Sequence, residues 1–216
     1  AAKNEELGYN DPFLVRYVSY VGDLLHGDLG ESWQSGRPVM GEILSRLPVT
    51  VTLAVGAILI GTVVGILVGI LSAVKQYSFL DFSATAVAMA LASFPGFWIG
   101  MMLILLFSLY LGWLPSFGGG DFRHYILPWI TTACPFMASQ LRMSRTSMLE
   151  VIRADYIRTA RAKGQKESKI ILRHALRNAL LPVVTILGIN FGALLGGTVT
   201  IETVFTLPGV GTLIIE

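Results

Sequence analysis

An all-helical integral membrane protein is the fold class this sequence predicts, and three observations predict it. Apolar residues make up 53% of the 216-residue chain and charged residues only 14%, about half the charged share of an ordinary soluble domain. Mean hydropathy is +0.65. Two long stretches, Val49 to Val74 and Phe82 to Leu111, contain no charged residue, and a span needs about 20 mostly apolar residues. This composition excludes a disordered chain and an ordinary soluble enzyme. The single cysteine, Cys134, cannot form an internal bridge, which excludes a disulfide-stapled domain.

The chain opens on a polar segment, residues 1–47, too charged to span. From this polar opening no secretory signal sequence is expected within the segment. Asp11-Pro12 predicts a helix start, and Phe13, Leu14, Tyr17, Val18, Val21, Leu24 and Leu25 form one apolar stripe ending near Gly27. A second short helix is predicted over Pro38 to Leu47. Two readings stand for this segment: an external cap that receives a soluble protein, or an interfacial helix packed on the bundle.

Four spans follow. The first is Val49–Val74, where Gly61, Gly65 and Gly69 recur every four residues, a spacing that lets membrane helices approach closely. The second is Phe82–Leu111, with Pro95-Gly96 predicting a kink in its middle. Trp113 and the run Pro115–Gly120 predict an interfacial turn. The third, Tyr125–Leu141, carries Pro128 and Pro135. The fourth runs from Leu176 to Val199, where Gly192, Gly196 and Gly197 suggest the same close packing. Asn190 lies deep in it and is expected to face protein or a cavity rather than lipid. Glu202 sits just beyond, before the turn Leu207-Pro-Gly-Val-Gly211. Asn190 and Glu202 are the candidate pathway or gate residues; helix pairing and a capped carboxylate are the structural readings of the same two positions.

The formal net charge of +2 conceals a strong asymmetry. Ten of the sixteen Lys and Arg lie between Arg142 and Arg177, opposed only by Glu150, Asp155 and Glu167, a surplus of seven. Residues 1–47 hold four basic and seven acidic residues. Because basic loops stay inside, loop 142–177 is expected in the cytoplasm and residues 1–47 outside. Within this loop Ser147–Lys163 predicts one helix, with Met148, Val151, Ile152, Tyr156 and Ile157 on a face. Gly164 is placed to end it. Lys166–Leu181 resumes the helical period and meets Pro182. Two short helices joined at a glycine form an elbow suited to docking into a partner's groove; a membrane-surface amphipathic helix is the alternative.

The order of residues in this loop resembles the "EAA" loop of binding-protein-dependent ABC importer permeases, carried by Arg158-Thr-Ala-Arg-Ala-Lys-Gly164 and the later Leu181-Pro182. The family's triplet stands here as Arg158-Thr159-Ala160, so only the alanine, the glycine and Leu-Pro match. Ala154–Gly164 and Arg173–Pro182 are similar to the form found in dipeptide, oligopeptide and nickel permeases. Further matches are Gly27-Asp-Leu-Gly30, Gly36-Arg-Pro-Val39, Leu47-Pro48, Phe94-Pro95, Phe97-Trp98, Trp113-Leu-Pro115, Ile201-Glu202 and Leu207–Gly211.

The resemblance implies a type I ABC importer transmembrane domain, with four spans present of six, and the first of two paired permeases. It implies residues 1–47 as an extracytoplasmic segment and 48–216 as the permease domain, in a bacterial or archaeal plasma (inner) membrane. It further implies that Arg158, Thr159, Ala160, Arg161, Ala162, Lys163 and Gly164 couple to ATPase subunits. The implied partners are a second homologous permease, two cytoplasmic ATPase subunits, an extracytoplasmic substrate-binding protein and membrane lipid, without nucleic acid. The cargo implied is a peptide, nickel or another small solute. ATP and Mg are expected on the ATPase partners, with no cofactor in this chain.

Absences agree with that expectation. No G-x-x-x-x-G-K-[ST] phosphate loop occurs, and His26, His124 and His174 fall on different sides, so no catalytic constellation or metal site is expected. An ion-coupled secondary transporter or channel is the alternative. It would place paired ionisable residues within spans, and 49–74, 82–111 and 182–199 contain none. A membrane scaffold whose basic loop binds lipid is the third possibility.

Overall fold

The computed structural model describes residues 12–118 and 120–215, and the side chains of Leu195, Gly196 and Gly197 are outside that description. Asp11 and Gly119, named above in a cap and a turn, also lie outside the described residues. The chain divides into two compact units, Ala1–Leu47 and Pro48–Glu216.

In the first unit, helix α1 (Phe13–Leu25) starts from Pro12 and buries none of its residues. Its end is set by Gly27 at φ +81°, a left-handed conformation that glycine adopts without strain. Helix α2 begins at Val39 and runs unbroken to Val74. The separate helix expected over Pro38–Leu47 is therefore the first turns of α2. Pro48 lies inside α2, and it frees only the carbonyl of Leu44, on a stretch where Leu44 itself is exposed, so water can take up that bond.

In the second unit, α3 (Phe79–Ser93) is capped by Ser78, whose hydroxyl accepts from the Asp81 N–H at 3.3 Å. The chain then bends by 105° at Phe94-Pro95 into α4 (Gly96–Leu103), which continues as a π-helical segment over Ile104–Tyr110. The kink expected at Pro95 is thus a full break. Helix α5 (Arg123–Ile152) is much longer than the predicted Tyr125–Leu141. The single helix expected over Ser147–Lys163 is divided: its first residues belong to α5, Ala154 is extended, and α6 spans Asp155–Ala162. No glycine or proline marks that division. It arises because Ile157 and Ala160 turn inward to pack near Met148. After Gly164, helix α7 (Glu167–Lys169) passes through a π-helical segment, Ile170–Ala175, into α8 (Leu176–Gly197). Pro182, expected where the last span starts, is inside α8. Short helices α9 (Val199–Val204) and α10 (Val210–Ile215) finish the described chain.

Among the described residues, α2 and the stretch Glu167–Leu194 are long and apolar enough to cross a membrane, and the bent pair α3–α4 has the length and composition of a broken span or a re-entrant loop. Helix α5 has 30 residues, about 45 Å of rise, but is less apolar. It packs against α3, α4 and α8 and buries Thr131, Gln140, Ser144 and Ser147. A helix enclosed by protein does not need the apolar surface that lipid demands.

Glycine sets the α2–α5 contact. A Cβ at Gly61 would lie 2.3 Å from the Phe136 ring, one at Gly65 2.8 Å from the Met137 carbonyl, and one at Gly69 2.6 Å from the Leu141 carbonyl. The packing role expected of these three glycines is met by α5. Gly192 differs: nothing among the described residues lies within 4 Å of its Cβ position, so they supply no close packing there.

Candidate functional site

The basic segment folds into a braced elbow. Ile157 and Ala160 of α6 join Ala73, Met148, Ile170, Ala175 and Ala179 in one buried cluster, so parts of four helices meet there. Burying an isoleucine contributes about 1.5–3 kcal/mol, and this apolar seat fixes α6 on the bundle. Of the seven residues singled out for coupling, Ala160 faces this seat; Arg158, Thr159, Arg161, Ala162, Lys163 and Gly164 are exposed.

Three polar bridges cross the elbow. Arg161 donates to both Glu167 carboxylate oxygens, at 3.2 and 2.6 Å. His174 Nε2 and Gln165 Oε1 lie 2.9 Å apart. Asn178 Nδ2 donates to the Tyr156 hydroxyl at 2.7 Å. Gly164 holds φ +72° with open space around its Cβ position, so backbone conformation and not crowding demands glycine there. The elbow is a rigid unit with a polar, basic outer face. Two of its basic residues are paired, Arg161 with Glu167 at 2.6 Å and Arg158 with Asp155 at 3.8 Å.

A second node lies at the same end of the bundle, and sequence reasoning missed it. Arg145 donates to both oxygens of buried Asp81, at 2.7 and 2.9 Å. Ser72 Oγ also donates to Asp81 Oδ1, and the Tyr77 N–H reaches Oδ2 at 3.0 Å. Tyr77 is held at φ +63°, so the α2–α3 turn accepts a strained conformation to deliver that N–H. The node ties the end of α2, the start of α3 and α5. Its signal in the sequence was a lone acid between two charge-free runs, Asp81, with Arg145 among the bases counted only for topology.

Glu202 occupies the opposite end of α5. It is 0% exposed. Its Oε1 accepts from Thr50 Oγ1 at 2.7 Å and Thr198 Oγ1 at 2.9 Å, and its Oε2 from the Thr212 N–H at 3.1 Å. The Leu207–Gly211 turn folds over it: a Cβ at Gly209 would lie 2.3 Å from the carboxyl, and one at Gly211 2.7 Å from Oε2. Thr50 Oγ1 in turn accepts the Val210 N–H at 2.9 Å. The carboxylate therefore joins α2, α9 and the turn before α10. Asn190 is half-buried, and its buried Nδ2 has no hydrogen-bond partner among the described residues. Gln140 and Ser144 on α5 are buried too, with polar atoms that find no partner among the described residues. No group of three His, Cys, Asp or Glu side chains suited to a metal ion occurs among the described residues.

Residues 65–216 match the family of binding-protein-dependent transport system inner membrane components. The chain belongs to that permease family. The permease is 41% identical over 212 residues to the glutathione transport system permease protein GsiC of Escherichia coli O6:H1, covering 98% of this chain and 69% of that protein. It is 40% identical over 216 residues to GsiC of Salmonella choleraesuis, covering 71% of that protein. Its fold is similar to that of the MetNI methionine ABC transporter in inward-facing conformations, with TM-score 0.65 at 23% identity over 81% of this chain and 79% of that one. An amino acid ABC transporter gives 0.63 at 15% identity, over 81% of this chain and 78% of that one. The permease is thus a multi-pass inner-membrane subunit of an ABC importer. It forms an inner-membrane component of a binding-protein-dependent transport system.

Proposed function

We propose that this permease forms half of a translocation pathway for short peptides, paired with a second homologous permease and driven by two cytoplasmic ATPase subunits that bind ATP and Mg. Residues 142–177 lie in the cytoplasm on this reading and residues 1–47 outside, where a substrate-binding protein delivers the cargo. The observation that carries the coupling role is the braced elbow: six exposed residues, Arg158, Thr159, Arg161, Ala162, Lys163 and Gly164, on a seat made by Ile157 and Ala160. A rigid, packed projection transmits displacement to α2, α5 and α8, whereas a loose loop would absorb it. Coupling then amounts to different docking free energies in two conformations.

Glu202 acts on this reading as a gate tie, since parting Thr50 from the turn around Val210 would open the outer end of the bundle. Asn190, with an unpartnered amide nitrogen, is the pathway candidate. A peptide cargo is favoured over nickel by the relatives named for glutathione, itself a small peptide. Mass spectrometry of the cognate binding protein is expected to find peptides; nickel alone would overturn the cargo assignment. Lys163→Cys is expected to crosslink to an introduced cysteine in the ATPase groove. Absence of any crosslink from Lys163→Cys and Arg161→Cys in the assembled complex would contradict the docking role.

A further inference from the structure

The break between α3 and α4 is exposed in this chain at a depth where exposure to lipid is not tolerated. Its depth follows from packing along α5. Below the break, Ala88 clusters with Ala138 and Leu141. Above it, a Cβ at Gly100 would lie 3.3 Å from the Thr131 methyl. The break therefore falls between the levels of Ala138 and Thr131, alongside Phe136. Phe136 packs on Gly61, the middle of the charge-free Val49–Val74 run, and so marks the middle of the bilayer.

Ser93, Phe94, Pro95, Phe97 and Trp98 are all exposed there, with Phe94 at 45% and Trp98 at 38% and their rings stacked at 4.4 Å. Pro95 has no N–H to give the Leu91 carbonyl, and a 105° turn takes neighbouring carbonyls out of the helical ladder. Irregular backbone at membrane depth survives only against protein or a water-filled cavity, because hydrocarbon offers no donors.

We propose that the Ser93–Trp98 break lines the water-filled pathway of the assembled permease, where its freed carbonyls accept N–H groups of the solute and the Phe94–Trp98 stack forms an apolar wall. The solute class is one rich in N–H donors, such as a short peptide; this rests on the peptide reading above for its cargo alone. Other broken membrane helices place solute sites at the bilayer middle by the same device.

The test uses the complete transporter in permeabilised membrane vesicles, with Cys134→Ser as background. Ser93→Cys is nearly isosteric, and Ala92→Cys on the same exposed stretch is a second variant. Labelling by a charged methanethiosulfonate is followed, since only a hydrated thiol ionises and reacts. Both variants are expected to label at least about tenfold faster than Val63→Cys on the exposed face of α2, and saturating glutathione is expected to slow them. Labelling no faster than at Val63→Cys means lipid or a dry subunit contact and overturns the pathway assignment. Fast labelling that glutathione leaves unchanged overturns the solute contact. ATP-driven glutathione uptake by the unmodified complex is measured in parallel: uptake with slow labelling refutes only this inference, whereas fast labelling without uptake refutes the peptide reading.

Discussion

Asp81 and Glu202 are both carboxylates buried where helices meet, at opposite ends of α5, yet they are held by different chemistry. Asp81 faces the guanidinium of Arg145 in a two-bond pair, with Ser72 and the Tyr77 N–H added. Glu202 has three neutral donors: two threonine hydroxyls and one amide. The Asp81 end carries the elbow, and on the proposed coupling role it would pass force between helices, which suits an ion pair backed by an apolar seat. The Glu202 end is closed by single hydrogen bonds from different elements, an arrangement that can part and re-form.

The contrast is broken most severely at the ion pair. Asp81→Ala leaves Arg145 without its partner, and thermal unfolding of the purified complex is expected to show a loss of about 3–5 kcal/mol. Restoring part of that loss with Arg145→Met would identify the unpaired cation as its cause. At the other end, Glu202→Gln keeps the shape but exchanges one acceptor oxygen for a donor that meets the hydroxyls or the Thr212 N–H, and about 1–3 kcal/mol is expected. Equal losses at Asp81 and Glu202 would remove the distinction between the two nodes.

The glycines sharpen it further. Gly65→Ala is expected to cost about 1–3 kcal/mol, because its Cβ would press on backbone of α5 that cannot yield. Gly192→Ala, with open space around it, is expected to leave the stability of the isolated subunit unchanged. A loss at Gly192 only in the assembled complex would place a neighbouring subunit there. Arg161→Ala removes an exposed pair worth about 0–1 kcal/mol, so the elbow should remain folded on its Ile157–Ala160 seat.

The smallest effect concerns Asp121, outside the spans. A hydrogen bond with His124 at 2.9 Å holds its carboxyl below the ordinary value of 3.8. A depressed folded value means that its contribution is present above pH 3.8 and lost as pH falls toward the folded value. Asp121→Asn should abolish that small acid-side dependence, visible as a flattened unfolding profile.

Much of this fold was legible because lipid imposes a severe composition rule. The charge-free run Val49–Val74 became the body of α2, Pro95-Gly96 marked the break, and Gly164 marked the elbow by its conformational freedom. Helix ends were less legible. Pro48 looked like a boundary, but its lost hydrogen bond falls on exposed backbone, so α2 passes through it. The division at Ala154 has no breaker residue and follows from where Ile157 and Ala160 find apolar contacts. The Asp81–Arg145 pair spans 64 positions, and a single sequence gives no signal that two such distant charges meet. Within the elbow, residue order gave the segment proposed to dock, while which of its residues face inward depended on packing: Ala160 is buried and Arg158, Thr159 and residues 161–164 are exposed.

The most direct test of the coupling role is the amount of solute imported per ATP hydrolysed in proteoliposomes containing the complete transporter. Two substitutions at one position are compared. Gly164→Asn accepts the left-handed conformation at modest cost and is expected to keep the ratio near that of the unmodified complex. Gly164→Pro cannot adopt φ +72°, so the elbow would be displaced while the spans stay inserted. Continued hydrolysis with import collapsed is expected for Gly164→Pro. An unchanged ratio in a properly assembled Gly164→Pro complex would contradict it.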